Sequence, residues 1–209
     1  LRYVASKNIP IIISRGMSSV AEIEVALDTI KSINQGLDIT LLHCIADYPS
    51  QPSDLNLRQL KTLKSCFDCR IGFSDHTVSP AIPSIAVALG AVVVEKHFTY
   101  DKNATGFDHF YALGPEELQN MVENIRHAEA ALGSPYIKIA PVELEVKQIA
   151  QRSIVASKTI QSGETLSPEN LTTKRPGNGI PAINWDLVIG KKAVKDFAKN
   201  DMLSWENIR

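Results

Sequence analysis

Short apolar runs alternate with amphipathic stretches through the first two-thirds of the chain. Ile9–Ser14 is a continuous β-branched run, as expected of a strand buried on both faces. Leu37–Cys44, Cys69–His76 and Ala91–Phe98 repeat the theme. Between them apolar residues return every three or four positions, predicting helices with one buried stripe. Val20, Ile23, Leu27 and Ile30 mark the first stripe, and Leu57, Leu60 and Leu63 the second. Leu118, Met121, Val122 and Ile125 mark a later helix from Pro115 to about Leu132, ended by Gly133. Ser19 and Glu22 have the spacing of a capping box. Ser79 predicts another N-cap, with Pro80 at the first helical position, Pro83 in the first turn and Gly90 as the stop.

Four strand–helix repeats imply a parallel sheet, because parallel neighbours need a helical crossover. Two closures fit. One is an open, doubly wound sheet. The other is part of an eight-stranded barrel, which takes about 250 residues, so that four units in residues 1–133 make half of one. The pattern then changes. Residues 134–151 read as a linker. Residues 152–209 read as a small, mostly β domain: "RSIVASKTI" alternates, "QSGE" turns, and "NLTTKRPGNGIP" is β-prone and then rich in Gly and Pro.

Composition narrows the function more than the fold. The chain has 209 residues, 44% hydrophobic and 22% charged, with a formal net charge of −1. That is a globular composition without a global pull toward nucleic acid or membrane. No apolar run approaches the roughly 20 residues of a membrane helix. Three cysteines, an odd and low count, suit a reducing, cytoplasmic compartment. "CFDC" has zinc-like spacing, but no second pair completes a four-ligand site.

The candidate chemistry lies in "GFSDHT" and "EKHF". His76 and His97 end consecutive strand runs, and each has a polar residue two positions earlier, Ser74 and Glu95. Residues two apart on a strand share a face, and Val92 and Val94 give the other face of the fourth run an apolar surface to pack under helices. Catalytic groups of β/α proteins gather at the carboxyl ends of strands. Neighbouring strands lie about 5 Å apart, so the two imidazoles can share one divalent ion. The competing reading is two histidines that are simply hydrogen-bonded. His43 also ends a strand, among apolar neighbours, while His109 and His127 fall on a loop and a helix without a special role.

Taken together, "GFSDHT", "AVALGA", "EKHFTYDKN" and "KRPGNGI" resemble the sialic acid synthases, the NeuB-like family whose members make N-acetylneuraminate, legionaminate or pseudaminate. The likeness runs from "PIIISRGMSS" onward. It implies the second half of a (β/α)8 TIM barrel followed by a small SAF (antifreeze-like) domain, with Leu1 just before the fifth barrel strand. It also implies condensation of phosphoenolpyruvate with an N-acetylated sugar aldehyde such as N-acetylmannosamine, releasing phosphate. By that resemblance His76 and His97 ligate a divalent metal, Mn2+ favoured and Mg2+ second. Ser14 and Ser74 match phosphate-contacting serines, Tyr48 a tyrosine of a "YP" turn, and Asp108 a substrate-side carboxylate. Glu95 faces the same interior. Arg175 matches an arginine that reaches the sugar's N-acetyl group in the site of the other subunit of a domain-swapped homodimer. Arg15 stands where the family often has Thr, and Ile45 and Ala46 replace polar groups before the "YP" turn, removing one substrate contact. "RPGNGI" is closer to the neuraminate and legionaminate branches than to the pseudaminate one. Two rivals remain: a metal-dependent α/β hydrolase using the same histidines, and a non-catalytic fragment that dimerises through residues 152–209. A half-barrel alone is expected to be nearly inactive.

Overall fold

The four apolar runs form one curled parallel sheet. In the computed structural model, which describes residues 1–209, β1 (Ile11–Ser14), β2 (Ile39–His43), β3 (Arg70–Asp75) and β4 (Val94–Lys96) pair in the order β1-β2-β3-β4. A short helix, α1 (Arg2–Ala5), precedes them. The crossovers are α2 (Val20–Lys31), α3 (Gln59–Cys66) and α4 (Ile82–Ala88), and α5 (Pro115–Leu132) follows β4. No helix is long and apolar enough to cross a membrane.

Strand parity decides where each side chain goes. Ile13, Leu41 and Ile71 align in one row and pack with Ile23, Leu27, Leu60 and Leu63 beneath the helices. Each fully buried side chain of this kind stabilises by about 1.5–3 kcal/mol. Ser14, Leu42 and Gly72 form a row of the opposite parity, on the other face. That face is open along β1, where Ile12 is 57% exposed, so β1 is covered on one face and not on both.

Helix starts follow local hydrogen bonds. The capping box forms: Glu22 N–H donates to Ser19 Oγ, and Ser19 N–H donates to the Glu22 carboxylate. Val20, in the first turn, is exposed rather than part of the stripe. The predicted cap at Ser79 is displaced. Thr77 Oγ1 accepts from Ser79 N–H, and Ser79 Oγ accepts from Ala81 N–H. This chain of small turns spends Ser79 before the helix, and α4 begins at Ile82 with Ala81 as its N-cap. β4 is shorter than its apolar run. Val92 N–H still donates to Ile71 O and Phe73 N–H to Val93 O, but Val92 is exposed instead of lying under a helix.

The second unit runs from Pro135 to Arg209. It opens with α6 (Glu143–Ala150), inside the stretch read as a linker, and α6 buries none of its residues. β5 (Ser153–Ala156) and β6 (Leu171–Lys174) pair antiparallel, and a short α7 (Trp185–Val188) follows. Single bridges such as Ile160–Phe197 and Ala193–Ile208 replace longer strands. They close around a core of Ile154, Ile160, Leu166, Leu171, Phe197 and Leu203.

Candidate active site

β3 stops at Asp75 and β4 at Lys96, so His76 and His97 are each the first residue past a strand. Register places Ser74 beside Glu95 and Asp75 beside Lys96. Parity then separates the two pairs. Ser74 and Glu95 take the face opposite the helices, where Ser74 Oγ donates to Glu95 Oε1 at 2.6 Å. Asp75 and Lys96 take the helix side as a buried ion pair, 2.8 Å apart, with side chains 0% and 3% exposed. Asp75 also accepts from Thr77 N–H and Oγ1, and Lys96 Nζ donates to Thr77 O. Burial pushes the Lys96 ammonium below its ordinary value, and the Asp75 carboxylate opposes that fall.

The two imidazole rings lie with centroids 5.5 Å apart at 76°. With metal–nitrogen bonds of roughly 2 Å, that spacing lets one ion reach both. Tyr48, on the loop after β2, stacks on His76 at 4.1 Å. Burial raises the Tyr48 phenol above its usual value, and Cys44, Asp108 and Glu95 add to the rise. His76 Nδ1 lies 2.6 Å from the Ile45 carbonyl oxygen, which only accepts, so Nδ1 carries the hydrogen and Nε2 the lone pair. Nε2 is 3.2 Å from Ser74 Oγ. One hydroxyl hydrogen therefore faces two acceptors, Nε2 and Glu95. The cluster is short of positive charge, and its two imidazoles are donors of the type a divalent cation takes, although no group of three or more His, Cys, Asp or Glu side chains converges as a ready-made metal site.

The polar loop after β4 returns to the same place. Leu113 N–H donates to His97 O and Thr99 N–H to Leu113 O, fastening residues 111–113 beside the end of β4. This brings in the buried Tyr111. Its hydroxyl donates to Asp108 Oδ1 at 2.7 Å and lies 3.4 Å from His97 Nδ1. Burial and the Asp108 carboxylate push the Tyr111 phenol far above its usual value. Asp108 itself is largely solvent-facing.

His76, His97, Ser74, Glu95, Tyr48 and Asp108 thus form one cluster. Ser14 is exposed at the end of β1, two strand spacings away, roughly 10 Å. Arg175 belongs to the second unit, where its Nε donates to Ala150 O at the end of α6. Tyr111 and the Asp75–Lys96 pair have no counterpart among the residues expected from sequence. The pair had a signal, since a charged residue directly precedes each histidine on adjacent strands. Tyr111 had none, because a loop has no period. A cavity of about 690 Å³ is lined by Lys31, Asp38, Lys64 and Arg70. It lies at the amino ends of the strands, the end that serves stability in β/α barrels.

His43 corrects a simpler expectation. Its neighbours are not only apolar: Nε2 donates to Leu55 O at 2.7 Å, and Nδ1 accepts from Arg15 Nε at 3.1 Å. Burial depresses its pKa, and the Arg15 charge adds to this against the opposing bond to Leu55. A histidine with a lowered folded pKa takes up its proton first in the unfolded chain. Stability is therefore full above the unfolded value of about 6.5 and falls as pH drops from there toward the folded value. Denaturant midpoints of the chain should decline between pH 7.5 and 5, and His43→Gln should flatten part of that slope. An unchanged slope in the variant would remove His43 from the account.

Comparison with known proteins adds the family context. The NeuB family model matches residues 1–136, and the SAF domain model matches residues 151–209. An uncharacterised protein of Methanocaldococcus jannaschii is 44% identical across all of this chain and 61% of its own length. The N,N'-diacetyllegionaminic acid synthase of Campylobacter jejuni is 42% identical over 97% of this chain and 61% of its own length. The crystal structure of N-acetylneuraminic acid synthetase from Leptospira borgpetersenii aligns with a TM-score of 0.64 and 35% identity, covering 69% of this chain and 50% of that one. The chain thus spans about three-fifths of the length of the curated relatives it matches.

Proposed function

Since the chain belongs to the NeuB family and carries a SAF domain behind it, we propose that it supplies the metal-binding half of a nonulosonic acid synthase. The substrates are phosphoenolpyruvate and an N-acetylated sugar aldehyde, N-acetylmannosamine or a related diacetamido sugar. The observation that carries this reading is the Ser74–Glu95 pair beside two imidazoles 5.5 Å apart, at adjacent strand ends of a NeuB-family sheet.

His76 and His97 would hold a divalent cation. Mn2+ is favoured over Mg2+ because nitrogen ligands suit a transition metal. When bound, that ion supplies Lewis-acid polarisation of the sugar's carbonyl. The rest falls to the protein. Ser14 donates its hydroxyl hydrogen to the phosphate, and Ser74 does the same once its single hydrogen turns from Glu95 to the bound substrate. Asp108 accepts from a sugar hydroxyl and orients the aldehyde. Tyr48 walls the site over His76. Carbon 3 of phosphoenolpyruvate bonds to the aldehyde carbon as the enol π bond is spent, and the aldehyde oxygen takes up a proton from water. Carbon 2 becomes an oxocarbenium, water adds there, and Glu95 takes that water's proton. The tetrahedral species then expels phosphate by carbon–oxygen cleavage. Arg175 binds the sugar's N-acetyl group in the partner subunit of a domain-swapped dimer.

Metal binding can be read on this chain directly. His76→Gln and His97→Gln should each weaken Mn2+ binding, followed by EPR titration, by more than the 10–100-fold that loss of an outer-shell partner costs. Activity should be assayed after the four preceding β/α units of a relative are fused in front. Phosphate release should then require both substrates and both histidines. If Mn2+ binding and phosphate release survive both changes, the assignment is wrong.

A specific observation also favours self-association. Ile137, Val142, Val146 and Ile149, along and before α6, are 103%, 81%, 61% and 70% exposed. Apolar side chains left in water at this density favour a partner. Sedimentation should show dimers or larger species, and Val146→Lys with Ile149→Lys should shift them to monomer. A monomeric wild-type chain would count against the dimer.

A further inference from the structure

The proposed roles leave Tyr111 unused, although it is 1% exposed and its hydroxyl reaches into the cluster. Its position is imposed by the backbone bonds that fasten residues 111–113 alongside His97–Thr99. Its ring lies 5.0 Å from that of His97 and 6.0 Å from that of Tyr48. The phenol has one hydrogen, and at 2.7 Å Asp108 Oδ1 has first claim on it. What remains for His97 Nδ1, 3.4 Å away, is a lone pair. The second polar atom near Nδ1 is Asp108 Oδ2, at 3.8 Å, also an acceptor. Both polar neighbours of Nδ1 therefore ask it to donate.

We propose that Tyr111 is a positioning residue: its hydroxyl, oriented by Asp108, holds His97 in the tautomer that carries hydrogen on Nδ1 and keeps the lone pair on Nε2. This rests on the reading of His97 as a metal ligand only for its consequence, since a neutral imidazole must present a lone pair to bind an ion. His76 meets the same requirement through Ile45 O. The two rings thus obtain one tautomer by different means, a backbone carbonyl at His76 and a tyrosine–aspartate relay at His97.

The test uses the metal-free chain. Long-range nitrogen–proton NMR of the imidazoles should show His97 with Nδ1 protonated. Tyr111→Phe keeps the ring and removes only the oxygen, and should move His97 toward the Nε2–H form. Asp108→Ala alters an exposed side chain and serves as the second variant, safe for folding. It frees the phenol hydrogen to turn to Nδ1 and should move the tautomer the same way. Mn2+ titration should show about a tenfold weaker site in Tyr111→Phe, as for loss of other outer-shell partners. An unchanged His97 tautomer in both variants overturns the proposal. So does unchanged affinity of Tyr111→Phe in a chain that binds Mn2+ through His97. A wild-type chain that binds no Mn2+ overturns the metal reading instead, and the tautomer alone then decides the role of Tyr111.

Discussion

Lys96→Met lowers the unfolding free energy of the first unit by about 3–5 kcal/mol, the cost of leaving one partner of a buried ion pair uncompensated. Asp75 is fully buried, and without Lys96 its carboxylate keeps only the two bonds from Thr77. Asp75→Asn should cost a similar amount, because the Lys96 ammonium then faces an amide. A loss of that size is about a fifth or more of a typical domain's total stability, so the denaturant midpoint moves visibly. The double variant is the sharper measurement. With both charges gone the desolvation penalty goes too, and it should be markedly more stable than the sum of the single losses predicts. Strict additivity would mean that water already reaches the pair. The pair matters to the site because each member directly precedes one of the two histidines, and Lys96 also holds the Thr77 carbonyl just after His76.

Gly72→Ala should be the second large effect, about 1–3 kcal/mol by overpacking. A methyl there would lie 2.4 Å from Leu42 Cδ2 and 2.7 Å from Val93 O. The leucine can move, but the carbonyl cannot do so cheaply, since it accepts the Phe73 N–H that joins the third and fourth strands. Leu42→Ala should therefore not rescue Gly72→Ala. Rescue would show that the side-chain clash alone set the cost. The same strain opens the ladder one step below Ser74 and Glu95, so Mn2+ affinity should fall together with stability.

Much of this architecture was legible along the chain. β-branched runs and three-to-four-residue stripes located all four parallel strands and their crossovers, because burial imposes its period on the residues themselves. "QSGE" lies in a tight turn with Gly163 at φ +86°. Period alone misplaces Val20, Val92 and Ile12, which are exposed, and other departures fall where no period operates. Ser79 has the residue type of an N-cap, yet a chain of turns from Thr77 moves the helix start to Ile82. His43 has apolar neighbours along the chain, yet Arg15, far from it in sequence, donates to its ring.

The sequence by itself determined the parallel β/α order, the face shared by Ser74 and His76 and by Glu95 and His97, and the family likeness. These depend on backbone periodicity and on residue identity, both written in one dimension. Only the tertiary structure decided that Asp75 meets Lys96, that Tyr111 reaches His97, and that Ile45 offers its carbonyl to His76. Those meetings depend on strand register and on the path of two irregular loops. Both are set by packing and hydrogen bonds between residues distant in sequence.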